Sequence, residues 1–153
     1  MSTTNHHPIL IVGGGTAGIT VAAQLRARGV AGIAILEPSE KHYYQPLWTL
    51  VGAGVVSKES TERAEADFIP DGVTWIRDAV ASFEPEVNAL TTLAGAKLTY
   101  DQLIVAVGIQ LDWHKIDGLP AALGRDGVVS NYRYDLVDST WRELSAFDGG
   151  TAL

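Results

Sequence analysis

Ile9-Leu10-Ile11-Val12-Gly13-Gly14-Gly15-Thr16-Ala17-Gly18 decides the reading of this chain. An apolar run without alternation describes a strand buried on both faces, as in a parallel sheet. The glycines that follow give a tight turn. An alanine-rich helical pattern then covers residues 16–28, with Gly29 placed to cap its end. A second apolar run, Ile33-Ala34-Ile35-Leu36, stops at Glu37. Strand, glycine turn, helix, strand and acid in that order make the dinucleotide-binding fingerprint. Alone, a Gly-x-Gly-x-x-Gly motif is a weak signal, because glycines also make ordinary turns. Here the flanking elements, and an acid about 20 residues further on, supply the context the motif needs.

Each residue has a physical role in that reading. Gly13 permits the sharp turn, Gly15 lets the backbone approach a pyrophosphate, and Gly18 lets the helix lie close on the strand. The phosphates would meet free N–H groups at the helix start, helped by its dipole. Glu37 would accept hydrogen bonds from the adenosine ribose hydroxyls, and its charge disfavours the ribose phosphate of NADP. On the helix, Ile19, Ala22, Ala23 and Leu25 are expected to face the sheet, with Gln24, Arg26 and Arg28 outside.

Composition narrows the alternatives. The chain has 153 residues, 46% of them apolar, enough for one domain with a core. A net charge of −7 gives a surface that repels phosphate, so no nucleic-acid partner is expected. The absence of cysteine excludes a disulfide scaffold, a thiolate zinc site and any thiol chemistry carried by these residues. No apolar stretch reaches the roughly 18 residues of a membrane span. Residues 1–7 lack the basic region and apolar core of a signal peptide and read as a disordered polar tail, leaving 8–153 as the dinucleotide-binding domain. His6 and His7 fall in that tail, and His42 has no second ligand at helical spacing, so no metal site is expected.

Residues 41–54 are aromatic and poor in charge, and two readings stay open. The aromatics either pack a loop and short helix on the sheet, or form a wall of the cofactor site with Gln45 as its polar handle. The charged residues 56–71 read as a solvated helix or loop. Val73, Trp75 and Ile76 begin a strand, residues 79–83 continue the sheet, and short runs over 87–93 and 97–99 suggest an antiparallel meander. Residues 103–107 predict a buried parallel strand returning to the nucleotide edge, closed by Gly108, where a backbone could approach a ligand. Val137, Trp141 and Leu144 predict a helix over 133–147. Residues 151–153 look like the opening of a strand, so the chain is expected to be a fragment of a longer protein. The expected fold is α/β, an incomplete Rossmann-like domain with a parallel sheet and a β-meander insertion.

Two segments carry a closer likeness. Tyr100-Asp101-Gln102-Leu103-Ile104-Val105-Ala106-Val107-Gly108 resembles a segment of the two-dinucleotide-domain flavoprotein reductases. Glu37-Pro38-Ser39-Glu40-Lys41-His42-Tyr43-Tyr44-Gln45-Pro46-Leu47-Trp48 and the residues through Gly54 narrow it: the chain resembles the sulfide:quinone oxidoreductases, in the branch that includes the mitochondrial enzyme. That resemblance implies an FAD enzyme that oxidises sulfide and reduces a quinone. It would be cytoplasmic and peripherally membrane-associated, through a region beyond this segment. It also implies that Gly13, Gly15, Thr16, Ala17 and Gly18 hold the pyrophosphate, Glu37 the ribose and Gln45 the flavin side. Val80 would lie beside the adenine, and Gly108 would make a second cofactor contact. The family reacts through a cysteine pair absent here, so this segment alone is expected to be inactive. An NADH:quinone reductase-like flavoprotein and a non-catalytic dinucleotide-binding domain are the alternatives.

Overall fold

The computed structural model describes residues 5–153, which form two compact units. The first takes the chain up to His42 and resumes over Ala64–Ile109; the second takes Tyr43–Arg63 and Gln110–Leu153. No linker composition announces this division, because each unit is assembled from separate pieces of chain.

The first unit opens with β1 (His6–Val12), α1 (Thr16–Ala27) and β2 (Ile33–Leu36). The chain leaves it through β3 (Lys41–Tyr43), builds α2 (Trp48–Gly52) in the second unit, and returns through β4 (Glu62–Ala64). β5 (Thr74–Ile76), β6 (Val80–Glu84), β7 (Ala89–Thr92) and β8 (Lys97–Val105) complete the first unit. Its sheet has the order β5-β2-β1-β8-β7-β6. The pairs β5/β2, β2/β1 and β1/β8 are parallel, while β8/β7 and β7/β6 are antiparallel. A Rossmann-like parallel sheet with an antiparallel meander is therefore the fold, as the sequence led us to expect.

The non-alternating runs are buried on both faces for a visible reason. Leu10, Val12, Ala34 and Leu36 point to one face and cluster with Leu90, Leu98 and Tyr100 from the meander. Ile11, Ile33 and Ile35 point to the other and cluster with Ala22, Val21 and Leu25 of α1. Each large aliphatic side chain so buried contributes about 1.5–3 kcal/mol of transfer free energy.

Several details differ from the expectation. His6 and His7 belong to β1, paired with Thr99 and Tyr100 of β8, rather than to a tail; residues 1–4 of that tail lie outside the described residues. Pro8, which has no N–H to give to a ladder, has no register partner in β8 between the His7 and Ile9 pairs, and β2 pairs with β1 only from Ile9 onward. The buried face of α1 is Gly18, Val21, Ala22 and Leu25, while Ala23 is exposed and Ile19 half-buried. The last run of the meander, residues 97–99, and the last parallel run are one continuous strand, β8. Its end is not wholly buried: Val105 is 56% exposed. β7 pairs only with Lys97–Thr99, so the rest of β8 has β1 as its one neighbour.

In the second unit, Trp48 and Val51 of α2 pack with Val137 of α4 (Val137–Ala146), and Tyr43, Val56 and Tyr134 close around them. Between them lies the single turn α3 (Leu119–Ala122). α4 starts later than residue 133: residues 134–136 form a turn, beside which the Arg133 guanidinium donates to the Asp135 carboxylate. Its expected seam is covered only at Val137; Trp141 and Leu144 stay about half exposed. Trp141 nevertheless packs on Gly54, where a Cβ would lie 2.4 Å from the indole. Residues 151–153 form no strand.

Core position, not chemistry alone, should decide the effect of truncation. Ile35→Ala is expected to cost about 2–5 kcal/mol and Val105→Ala about 0.5–1 kcal/mol, read as shifts of the urea unfolding midpoint.

Candidate dinucleotide site

Parallel β1 sends its chain through α1 to β2 on one side, while β8 lies on the other. The C-terminal ends of β1 and β8 thus flank a reversal of strand order, the place where open α/β sheets leave a crevice for ligands. The glycine turn occupies that place.

Gly13 has φ +105, and a Cβ there would lie 2.4 Å from the Ala106 carbonyl oxygen. Only glycine allows the turn to pass so close to the end of β8. The turn is held on both sides: Gly13 N–H donates to Leu36 O at 2.9 Å, and Ala106 N–H donates to Val12 O at 2.7 Å. Gly18 does the same for the helix, since a Cβ there would fall 1.9 Å from Gly13 O. α1 can therefore rest directly on the turn that precedes it.

Gly15 is different. It is the N-cap of α1, with φ −66, and a Cβ there would meet nothing within 4 Å. No side chain caps the helix and no acid stands in its first turn. Thr16 and Ala17 are exposed. The first-turn N–H groups of a helix have no partners within it and carry the positive end of its dipole. This arrangement offers an anion open space, backbone donors and no opposing first-turn carboxylate.

Glu37 stands beside the turn. Its Oε2 accepts the Gly14 N–H at 2.7 Å and its Oε1 accepts the Ser39 N–H at 2.7 Å. Its own backbone is pinned to β5: Glu37 N–H donates to Ile76 O at 3.0 Å, and Trp75 Nε1–H donates to Glu37 O at 2.9 Å. A carboxylate oxygen accepts more than one hydrogen bond, so both retain capacity for a sugar hydroxyl.

The remaining sequence candidates are placed as follows. Gly108 follows β8 with φ +71, exposed and with open space where a Cβ would be. Val80 begins β6 and packs against the cluster that includes Leu10 and Val12. Gln45 opens a short 3-10 turn of the second unit and is exposed. In that unit Trp48 is a core residue, its Nε1–H donating to Thr61 Oγ1 at 3.1 Å.

Glu65 was missed. It falls in the charged stretch that reads as solvated, yet it is 1% exposed. Its Oε2 lies 3.2 Å from His42 Nδ1. Burial pushes its carboxyl above the usual range; His42 opposes that shift and Glu37 adds to it. Nothing in the local sequence separates Glu65 from the exposed Glu59 or Asp67.

Residues 7–138 match the family model described as pyridine nucleotide-disulphide oxidoreductase. The chain belongs to that family. Among its relatives, it is 47% identical over 144 residues to a protein of Dictyostelium discoideum named "Sulfide:quinone oxidoreductase, mitochondrial", covering 93% of this chain and 32% of that one. The Mus musculus protein of the same name is 45% identical over 150 residues, covering 97% of this chain and 33% of its own length. The chain thus spans about a third of these relatives. The solved structure of the sulfide:quinone oxidoreductase from Aquifex aeolicus matches with a TM-score of 0.67 at 23% identity, over 92% of this chain and 31% of that one. That likeness shows the shared fold. The resemblance read from residues 37–54 and 100–108 agrees with the names of the relatives.

The glycines should separate by function when substituted. Gly18→Ala is expected to lose about 1–3 kcal/mol of stability from overpacking. Gly15→Ala should lose less than about 1 kcal/mol, and its effect should appear in nucleotide affinity instead. Thermal unfolding and titration calorimetry on both variants check this.

Proposed function

We propose that this chain is the FAD-binding portion of a flavoprotein that oxidises sulfide and reduces a quinone. The observation that carries the nucleotide half is the open helix start at Gly15, set beside a carboxylate that is fixed on Gly14. The substrate half rests on the relatives and their printed names.

The residues present fit the ADP half of FAD. Gly13, Gly15, Thr16, Ala17 and Gly18 would hold the pyrophosphate through backbone amides, and Glu37 would hold the ribose. Val80 would lie beside the adenine, Gly108 would make the second cofactor contact, and Gln45 would meet the flavin side. When bound, FAD supplies a two-electron acceptor for sulfide and a two-electron donor for the quinone. The contribution of this chain is to bind and orient. Its amides complement the diphosphate charge without bringing a side chain into the cleft, and Glu37 selects a ribose with free hydroxyls.

Sulfide oxidation in the family proceeds through a cysteine pair, whose disulfide is attacked by sulfide with loss of a thiolate, and these residues contain no cysteine. The 153-residue chain by itself is therefore inactive in this reading. We assign the full-length protein to the cytoplasm, in peripheral contact with a membrane. Among the described residues, no helix is long and apolar enough to cross one.

Two measurements test the reading. Glu37→Gln is expected to weaken FAD binding by about 10- to 100-fold, the value of a hydrogen bond to a charged group, measured by flavin fluorescence titration. A folded chain that ignores FAD, ADP and ADP-ribose alike would sink the nucleotide assignment. The purified chain loaded with FAD should give no sulfide-dependent quinone reduction, and turnover above a no-protein control would refute its inactivity.

A further inference from the structure

Glu65 has no place in the fingerprint, yet it is the buried carboxyl nearest to it. Its backbone N–H donates to Glu40 O at 2.9 Å, and His42 holds its Oε2. The His42 ring is itself packed 4.7 Å from that of Phe68. Glu65 Oε1 is buried and has no hydrogen-bond partner among the described residues. That atom faces Gly14: a Cβ on Gly14 would lie 2.5 Å from it. The same Cβ would lie 2.6 Å from Glu37 Cγ. Gly14 is thus clasped by two carboxyl-bearing side chains, one of them already bonded to its N–H.

We propose that Glu65 is a positioning residue of the nucleotide site, a buried carboxyl that backs Gly14 and so aims Glu37 at the ribose of a diphosphate nucleotide. The inference rests on the dinucleotide reading above. Ionised, the buried Glu65 would set a second negative charge beside Glu37, and like charges repel more strongly where one is buried. The ionisable groups facing it are His42 on β3 and Glu37 after β2; the glycine turn presents backbone. Burial keeps its carboxyl protonated above the ordinary range, against the pull of His42. A diphosphate arriving at the turn adds negative charge and tightens the hold on that proton. Binding therefore takes up a proton wherever free Glu65 is partly ionised, and affinity falls as pH rises through that window.

ADP-ribose is the probe, because its diphosphate is a diester that does not titrate near neutrality. Calorimetry on the whole chain should show its Kd rising about tenfold between about pH 5 and about pH 8, one pKa unit of linkage. Glu65→Gln keeps the shape without the charge, and should hold the low-pH affinity across the range. Glu65→Ala, if folded by circular dichroism, should bind about tenfold more weakly than wild type at low pH and show no further loss as pH rises, with Glu65→Gln restoring the low-pH affinity. If Glu65→Ala does not fold, the Glu65→Gln profile decides. Parallel pH profiles in wild type and Glu65→Gln, a flat wild-type profile, or wild-type affinity at low pH in folded Glu65→Ala each overturn this inference alone. A wild-type chain that binds no ADP-ribose at any pH overturns it together with the dinucleotide reading.

Discussion

The candidate site depends on one steric fact: backbone touches backbone where β1 turns into α1. Gly13 lies against the carbonyl of Ala106, and Gly18 lies against the carbonyl of Gly13. Neither approach leaves room for a methyl group. Because both are made, the helix starts directly at the end of its strand and its first amides open onto the crevice beside β8. Core packing then holds it there. Val21, Ala22 and Leu25 seat α1 on Ile11, Ile33 and Ile35, so the direction of the first-turn amides is fixed by apolar contacts one and two turns away. The recognition surface is preorganised by burial rather than by polar side chains, which lowers the ordering cost when a ligand binds.

How much of this was legible follows from where each signal lives. β1, α1 and β2 could be read because apolar period, glycine punctuation and the terminal acid agree within a short stretch. The rotation of α1 was less legible. In an alanine-rich helix Ala23 and Ala22 look alike, and only the packed sheet shows that Val21 is inside and Ala23 outside. The length of β8 was hidden because its two halves pair differently, the first with β7 and β1 and the second with β1 alone. His6 and His7 looked like tail because nothing apolar surrounds them in sequence, yet their backbone continues the ladder to Thr99 and Tyr100. The two-unit division escaped composition altogether, since both units are discontinuous in sequence.

Glu65 was illegible for a deeper reason, and it shows how two carboxyls on one glycine become inequivalent. Glu37 has both oxygens on backbone N–H donors. Glu65 has one oxygen on a histidine and the other on no hydrogen-bond donor among the described residues. Burial disfavours the charged form, so what surrounds Glu65 pushes its carboxyl above the usual range. That difference cannot be written in the local sequence, because it is made by β2, β3 and the glycine turn converging on one residue. A buried polar atom without a donor is a standing cost to the fold. Its cost is smallest when the carboxyl is neutral, and the neutral carboxyl is also the form that leaves Glu37 unopposed. Stability and the proposed orientation of Glu37 therefore favour the same protonation state of Glu65, so its burial is compatible with the diphosphate site proposed above.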